Sequence, residues 1–258
     1  MLFRNVCLLV VLFLHESLTL NAQTPEGTVQ YERMIRYSFE NIKEAHGDDQ
    51  RRMDWLASLP EEGTSVQVLS FNSRNALFTE GVSEVMAENP MLQRAIIYEG
   101  MLSGPTPRVR SVFYDFEKNR KLEQIMFLTR YFLVESQMEP LPWKLSGERK
   151  KILDYVCMKA ELSLEDEDIV AWFTPEIPVS LGPSVYGGLP GLILAIERNR
   201  ETIYMATSVD LTPPQEETLK KPDHGSEVSP EEFAAIRQEK EKEWEENPPG
   251  RGNRRYHR

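Results

Sequence analysis

Three short runs rich in β-branched and aromatic residues, 108–116, 121–128 and 131–135, follow one another across two polar turns, 117–120 and 129–130. Turns that short can join strands only antiparallel, because a parallel return needs a crossover of a dozen residues or more. The middle of the chain is therefore a meander, and whatever surrounds it must extend or cover an antiparallel sheet. Residues 28–39 read as a further strand, with Val29, Tyr31, Arg33, Ile35 and Tyr37 on one face. Residues 65–79 return to strand. Residues 151–160 pair with 169–174 across the acidic turn 165–168, and 192–197 pair with 202–209 across 198–200. That makes about eight to ten strands, joined mostly by hairpins.

Helical spacing is confined to a few places. Residues 40–59 carry Met53, Leu56 and Leu59 at helical intervals, with Asp48 placed to cap and Pro60 to end the run. Residues 81–107 are ambiguous: a short helix near 83–86, then a loop broken by Pro90, Gly104, Pro105 and Pro107. Helices do not alternate with strands, so a doubly wound parallel sheet is excluded. The expected fold is α+β: a mostly antiparallel, curved sheet, a half-open barrel with few helices. By analogy of architecture it is lipoprotein-carrier-like, which licenses no activity.

The ends of the chain read differently. Arg4 precedes an unbroken apolar run, Val6 to Leu14, which His15 and Glu16 interrupt; Ala22 then offers a small residue for cleavage. A membrane-spanning helix needs roughly 20 apolar residues, so residues 1–22 read as a secretory signal peptide. Removing 22 of 258 residues leaves 236, and the net charge stays at −11 because Arg4 and Glu16 leave together. That charge argues against nucleic acid as a partner. Cys157 is then the lone cysteine, expected to be buried and inert. No later segment is apolar enough to span a bilayer. Residues 23–211 form the β-rich domain, and 212–258 read as a polar linker, a charged helix and a basic tail. Pro213, Pro214, Glu216, Glu217, Lys220 and Lys221 leave the linker nothing to bury. Ser229, Pro230 and Glu232 fit a capping box with proline at the first helical position. The helix that follows, 230–246, carries only Phe233, Ile236 and Trp244 as an apolar stripe, so this segment is expected to be dispensable for folding.

Between Pro142 and Ile196 the chain is dense with aromatic, proline and glycine residues. It reads Pro-Trp-Lys at 142–144, Ala-Trp-Phe-Thr-Pro-Glu-Ile-Pro-Val-Ser-Leu-Gly-Pro at 171–183 and Tyr-Gly-Gly-Leu-Pro-Gly-Leu-Ile-Leu at 186–194. This block resembles the GLPGLI family of exported, largely uncharacterised proteins of Gram-negative bacteria, whose naming motif stands here at 188–193. The resemblance extends more loosely to Tyr31 and through the meander; residues 40–107 and 212–258 read as additions to it. It implies export and a β-rich fold, with no established activity. Two readings of the block stand side by side. In one it is a core hairpin closed by a type II turn at 189–192, with Pro190 presetting φ and Gly191 accepting positive φ. In the other it rims a site where Trp143, Trp172, Glu176 and Tyr186 meet a ligand or partner.

Catalytic chemistry finds no constellation. His46, His224 and His257 lie outside the dense block, no histidine pair has zinc-ligand spacing, and Glu176 has no obvious partner acid. Arg33, Arg130 and Lys159 read as outward-facing strand charges. No catalytic residue, metal or cofactor is assigned. The expected function is that of a non-enzymatic binding or accessory protein of the bacterial cell envelope, periplasmic or associated with the outer membrane. Its partner would be an envelope or outer-membrane protein. A periplasmic carrier of an apolar or lipid-like ligand is the alternative, and a hydrolase with an unrecognised site comes third. A carrier requires a deep apolar cavity inside the sheet; an interaction module requires a filled interior.

Overall fold

Alternation builds the first strand. In β1 (Gly27–Arg36), Val29 and Tyr31 are fully buried while Gln30 and Glu32 face solvent. The structure, a computed structural model, describes residues 25–164, 167–198 and 201–247. Within them follow β2 (Glu62–Phe71), β3 (Asn75–Thr79), β4 (Arg108–Asp115), β5 (Arg120–Phe127) and β6 (Arg130–Gln137). Then come β7 (Lys144–Ile152), β8 (Tyr155–Leu164), β9 (Glu167–Thr174), β10 (Leu192–Arg198), β11 (Glu201–Asp210) and β12 (Ser226–Val228). They form one sheet in the order β12-β6-β5-β4-β3-β2-β1-β11-β10-β9-β8-β7. Neighbours are antiparallel except β12, which lies parallel to β6. The signal segment and its cleavage point, the basic tail at 250–258 and the centre of the acidic turn at 165–166 lie outside the described residues.

One short connector dictates the sheet's shape. β6 and β7 stand ten strand intervals apart, which in a flat sheet would be about 48 Å. The six residues 138–143 join them, and extended chain of that length reaches about 25 Å at most. The sheet must curl. Its ends stay unpaired with each other, so the result is an open trough, and the α+β, mostly antiparallel, curved sheet is the observed fold. The inner face carries the core: Val29 and Tyr31, Leu69 and Phe71, Phe78, Val112 and Tyr114 from one half, Ala160, Ala171, Phe173, Ile196 and Tyr204 from the other. Cys157 on β8 is also fully buried, and burial pushes its thiol up to about 11.

Several elements depart from the sequence reading. Residues 65–79 are two strands, because Asn72 turns the chain: its side chain accepts the N–H groups of Arg74 and Asn75. β2 and β3 lie beside β1 in mid-sheet, so residues 62–79 belong to the sheet itself. The rest of 40–107 is helical: α1 (Glu40–His46) and α2 (Gln50–Ala57) between β1 and β2, α3 (Glu84–Glu88) and α4 (Pro90–Ser103) between β3 and β4. Both loops leave the same end of the sheet, so the helices cluster there around Ile42, Leu56, Leu92 and Ala95. Asp49, not Asp48, caps α2. Pro90 does not break a helix; it starts one, at the first position behind the Asn89 cap.

Two further segments cross the sheet. The plug, residues 175–191, leaves β9 and lies in the trough before entering β10. Ile177, Val179, Leu181 and Leu189 are all buried in the core. The Tyr114 hydroxyl on β4 donates to the Ser184 carbonyl at 3.0 Å, and Tyr31 on β1 donates to the Ile193 carbonyl at 2.7 Å. A loop that touches both β4 and β10 has to span the concave face. The strap, residues 211–247, first crosses the outer face, where Leu219 is buried, then adds β12 to the edge of β6, and ends in α5 (Pro230–Glu246), which lies on the trough side of β5 and β6. Phe233 and Ile236 of α5 pack on Ile125, Phe127, Phe132 and Val134. Trp244 Nε1–H donates to the Met101 carbonyl at the end of α4, at 3.0 Å. The polar linker therefore does bury an anchor, and the helix covers sheet instead of standing in solvent.

Candidate functional site

The turn at the heart of the dense block is not type II. Gly191 N–H donates to the Leu189 carbonyl at 2.8 Å, a three-residue turn about Pro190, and Leu192 N–H donates instead to Ile177, at 3.0 Å. Proline's fixed φ suits such a γ-turn as well as it suits the second position of a type II turn. The reason for glycine at 191 is space: a Cβ there would meet the Thr174 carbonyl carbon at 2.7 Å and Pro175 Cα at 3.0 Å. Nor does the block form a tight hairpin. β10 and β11 pair only from Ala195 onward, so β10 peels away at Leu192 and Ile193, and residues 177–181 take up the freed amides.

The four residues singled out for contact do not share a face. Trp172 points to the outer side of β9, opposite to Ala171 and Phe173. Its indole donates to Glu197 at 2.9 Å, while Lys150 reaches the same carboxylate oxygen at 2.8 Å and lies 4.1 Å above the ring. That triad leaves Trp172 buried. Glu176 is exposed, and its carboxylate accepts the Val156 N–H at 2.9 Å. Tyr186 lies on the opposite side, in the trough, edge-on to Tyr204 with ring centres 6.5 Å apart, and burial raises its hydroxyl pKa. Trp143 donates to the Gly187 carbonyl at 2.8 Å, tying the β6–β7 connector to the plug.

What the trough does expose at its rim is charge. β3 ends at Thr79, and a bulge in β4 between Val109 and Ser111 takes Arg110 out of alternation. Arg110 thereby reaches Glu80 at 2.6 Å, while Arg33 holds the other carboxylate oxygen. Arg33 also lies 5.9 Å from the Tyr204 ring centre. It faces the trough, contrary to the outward placement expected; sharing a face with Val29 and Tyr31 was the signal. Beside this cluster Gln67 is fully buried and donates to Ser65 at 2.7 Å, and among the described residues its side-chain carbonyl oxygen has no partner. Glu80, with only 11 % of its side chain exposed, gives two arginines one nearly buried anion to share.

From Glu80 and Arg110 a groove of about 460 Å³ runs along Thr79, Ser111 and Gln124 to Tyr131 and His224. The strap forms its far wall: Gln124 donates to the His224 carbonyl at 2.8 Å, and the His224 and Tyr131 rings stand 4.9 Å apart. Hydroxyls, an amide, a guanidinium and two rings on one wall suit hydrogen-bonded recognition of a polar chain or ligand. Nothing in the linear sequence placed Glu80, Arg110, Gln124 and His224 together, because they come from four separate elements.

Comparisons with known proteins speak to fold and family. Among solved structures, PNGF-II in the P21 space group superposes with a TM-score of 0.50 at 18% identity over 84% of this chain. PNGF-II in the C2 space group gives 0.48 at 18% identity over 82%. This chain spans about a third of those proteins, 34% and 33% of their length, and the likeness is one of fold alone. No curated protein sequence matches the chain. Residues 161–195, from β8 through the plug to β10, match the family described as "Protein of unknown function (Porph_ging)", so the stretch similar to a known family is the one that fills the trough.

Proposed function

We propose that the chain is exported and acts as a non-enzymatic binding or accessory protein of the bacterial cell envelope, in the periplasm or at the outer membrane. It meets a polar partner at the groove between Arg110 and His224. The observation that carries this reading is the plug. A carrier of a lipid-like molecule needs its trough empty, and here Ile177, Val179, Leu181 and Leu189 occupy it. Binding is left to the surface, where the groove supplies directed hydrogen-bond groups on a rigid floor of three paired strands. Export rests on the basic start, short apolar run and Ala22 of the N-terminus.

Protein purified from its native host is expected to begin at or near Gln23 and to carry no lipid-sized adduct in native mass spectrometry. A photo-reactive residue at Thr79, an exposed groove position, should give one discrete crosslinked product in cells, lost when Arg110 is replaced by glutamine. A co-purifying lipid mass would overturn the reading in favour of a carrier. Crosslinking indifferent to Arg110 would remove the groove from it.

A further inference from the structure

The helical cluster at the end of the sheet holds a second cleft, unrelated to the groove. On α2, Arg51 stands four residues before Trp55; on α4, Arg94 stands four residues before Tyr98. Residues four apart share a helix face, so each helix presents an arginine beside an aromatic ring. Both faces line one cleft of about 560 Å³, together with Arg52 and Asp49.

Its charges are unevenly satisfied. Asp49 is occupied twice over, capping the Arg52 N–H at 3.2 Å and lying 3.7 Å from the Arg52 guanidinium. Among the described residues, Arg51 and Arg94 have no carboxylate partner. Tyr98 is fixed in place: the His46 ring stacks on it with centres 5.8 Å apart, and His46 Nε2 lies 2.6 Å from its hydroxyl. Trp55 contributes a buried indole N–H that has no acceptor among the described residues. In a chain of net charge −11, three arginines around two rings and one engaged aspartate are a local reversal of sign.

We propose that this cleft binds a small organic anion, a carboxylate or phosphate carried on a flat or apolar body. Guanidinium groups of Arg51 and Arg94 take the acid group, since planar forks match carboxylate and phosphate oxygens. Trp55 and Tyr98 take the body, which explains aromatic rings where a bare anion would need none. The cleft lies in the helical layer, away from the trough and the groove, so its ligand need not be the groove's partner.

Phenyl phosphate is a suitable probe, titrated calorimetrically into the full chain with inorganic phosphate alongside. Saturable binding of phenyl phosphate is expected, tighter than that of inorganic phosphate. The Arg51→Gln/Arg94→Gln double variant should weaken it by about tenfold or more. Both side chains are exposed and unpaired, so the variant's thermal melt should match the parent's. Arg74→Gln, an exposed arginine elsewhere, should bind like the parent. The proposal fails if phenyl phosphate shows no saturable binding, if the double variant binds as well as the parent, or if Arg74→Gln weakens binding equally. It fails too if only vesicles of anionic lipid bind through these arginines, which would make the site a membrane contact instead.

Discussion

The plug and the strap cross the same sheet and hold to it by different means. The plug buries four apolar side chains in the trough and its carbonyls at Ile177 and Leu181 accept the Leu192 and Ile193 amides of β10, so that it is core in everything but regular structure. The strap buries Leu219 and Phe233, adds three residues of parallel strand to β6 and closes with a helix that is otherwise charged. One fills a space that would otherwise be a cavity. The other covers an edge that would otherwise invite pairing with another chain. Position along the sheet decides which: the middle of the curl is filled by the plug, whereas at its end β6 needs an occupant for its open amides and a helix over the apolar side chains it shares with β5.

The sharpest way to break this contrast is Gly191→Val. The added side chain runs into the backbone of Thr174 and Pro175, which cannot swing aside as a flexible side chain could. A loss at or beyond about 4 kcal/mol is expected, read as failure to fold or a collapsed melting temperature. A variant melting within a few degrees of the parent would mean that the plug is not seated in the trough.

Alkaline unfolding comes next and should act on the core that the plug completes. Burial raises the hydroxyls of Tyr31 and Tyr114 well above 10.0, and those of Tyr186 and Tyr204 above it, while Cys157 rises from 9.0 to about 11. In every case the folded state holds its proton more tightly than the unfolded chain does. That stabilisation is complete below pH 9.0 and is lost as pH rises through the folded values. Urea midpoints should hold steady up to about pH 9 and fall steeply beyond it. Removing the thiol in Cys157→Ala should flatten the first part of that fall, and an unchanged profile would contradict the assignment.

Phe233→Ala tests the strap. It empties the contact with Phe127 and Phe132, whose ring centres lie 6.0 and 5.3 Å away, and should cost about 3 kcal/mol with the alkaline limb intact. A cost near zero would restore the sequence expectation that this segment is dispensable. The smallest effect belongs to Ser229→Ala. It removes the hydroxyl that accepts the Glu232 N–H at 3.1 Å and should lower stability by about 1 kcal/mol.

That capping box was legible from sequence because its chemistry is local, and α5 runs over the residues expected, 230–246. The β4–β6 meander was legible for the same reason. β7 was missed: Lys144, Arg149, Lys150 and Lys151 leave it almost no apolar alternation, as befits an edge strand protected by charge. α4 was missed because proline signals a break or a start depending on the residue before it, here Asn89. At the site, Tyr186 belongs to the plug and Trp143 is tied to it, but strand parity sends Trp172 to the opposite face, which no motif reveals without the register. The cluster of Glu80 with Arg33 and Arg110 depends on three distant strands and a bulge, and so belongs to tertiary structure alone.

The central position of β1 has a consequence in time. Its partner on one side, β2, is made soon after it, but on the other side Thr28 faces Asp210, 182 residues later. Until residue 210 is made, β1 has one edge without a neighbour, and the β1–β6 half is a sheet waiting for its continuation. Pairings this distant close slowly. A waiting edge is also a template for the wrong strand, whether from the same chain or from another copy emerging nearby. The late arrival of β11 thus makes the final seam of this protein its most exposed moment.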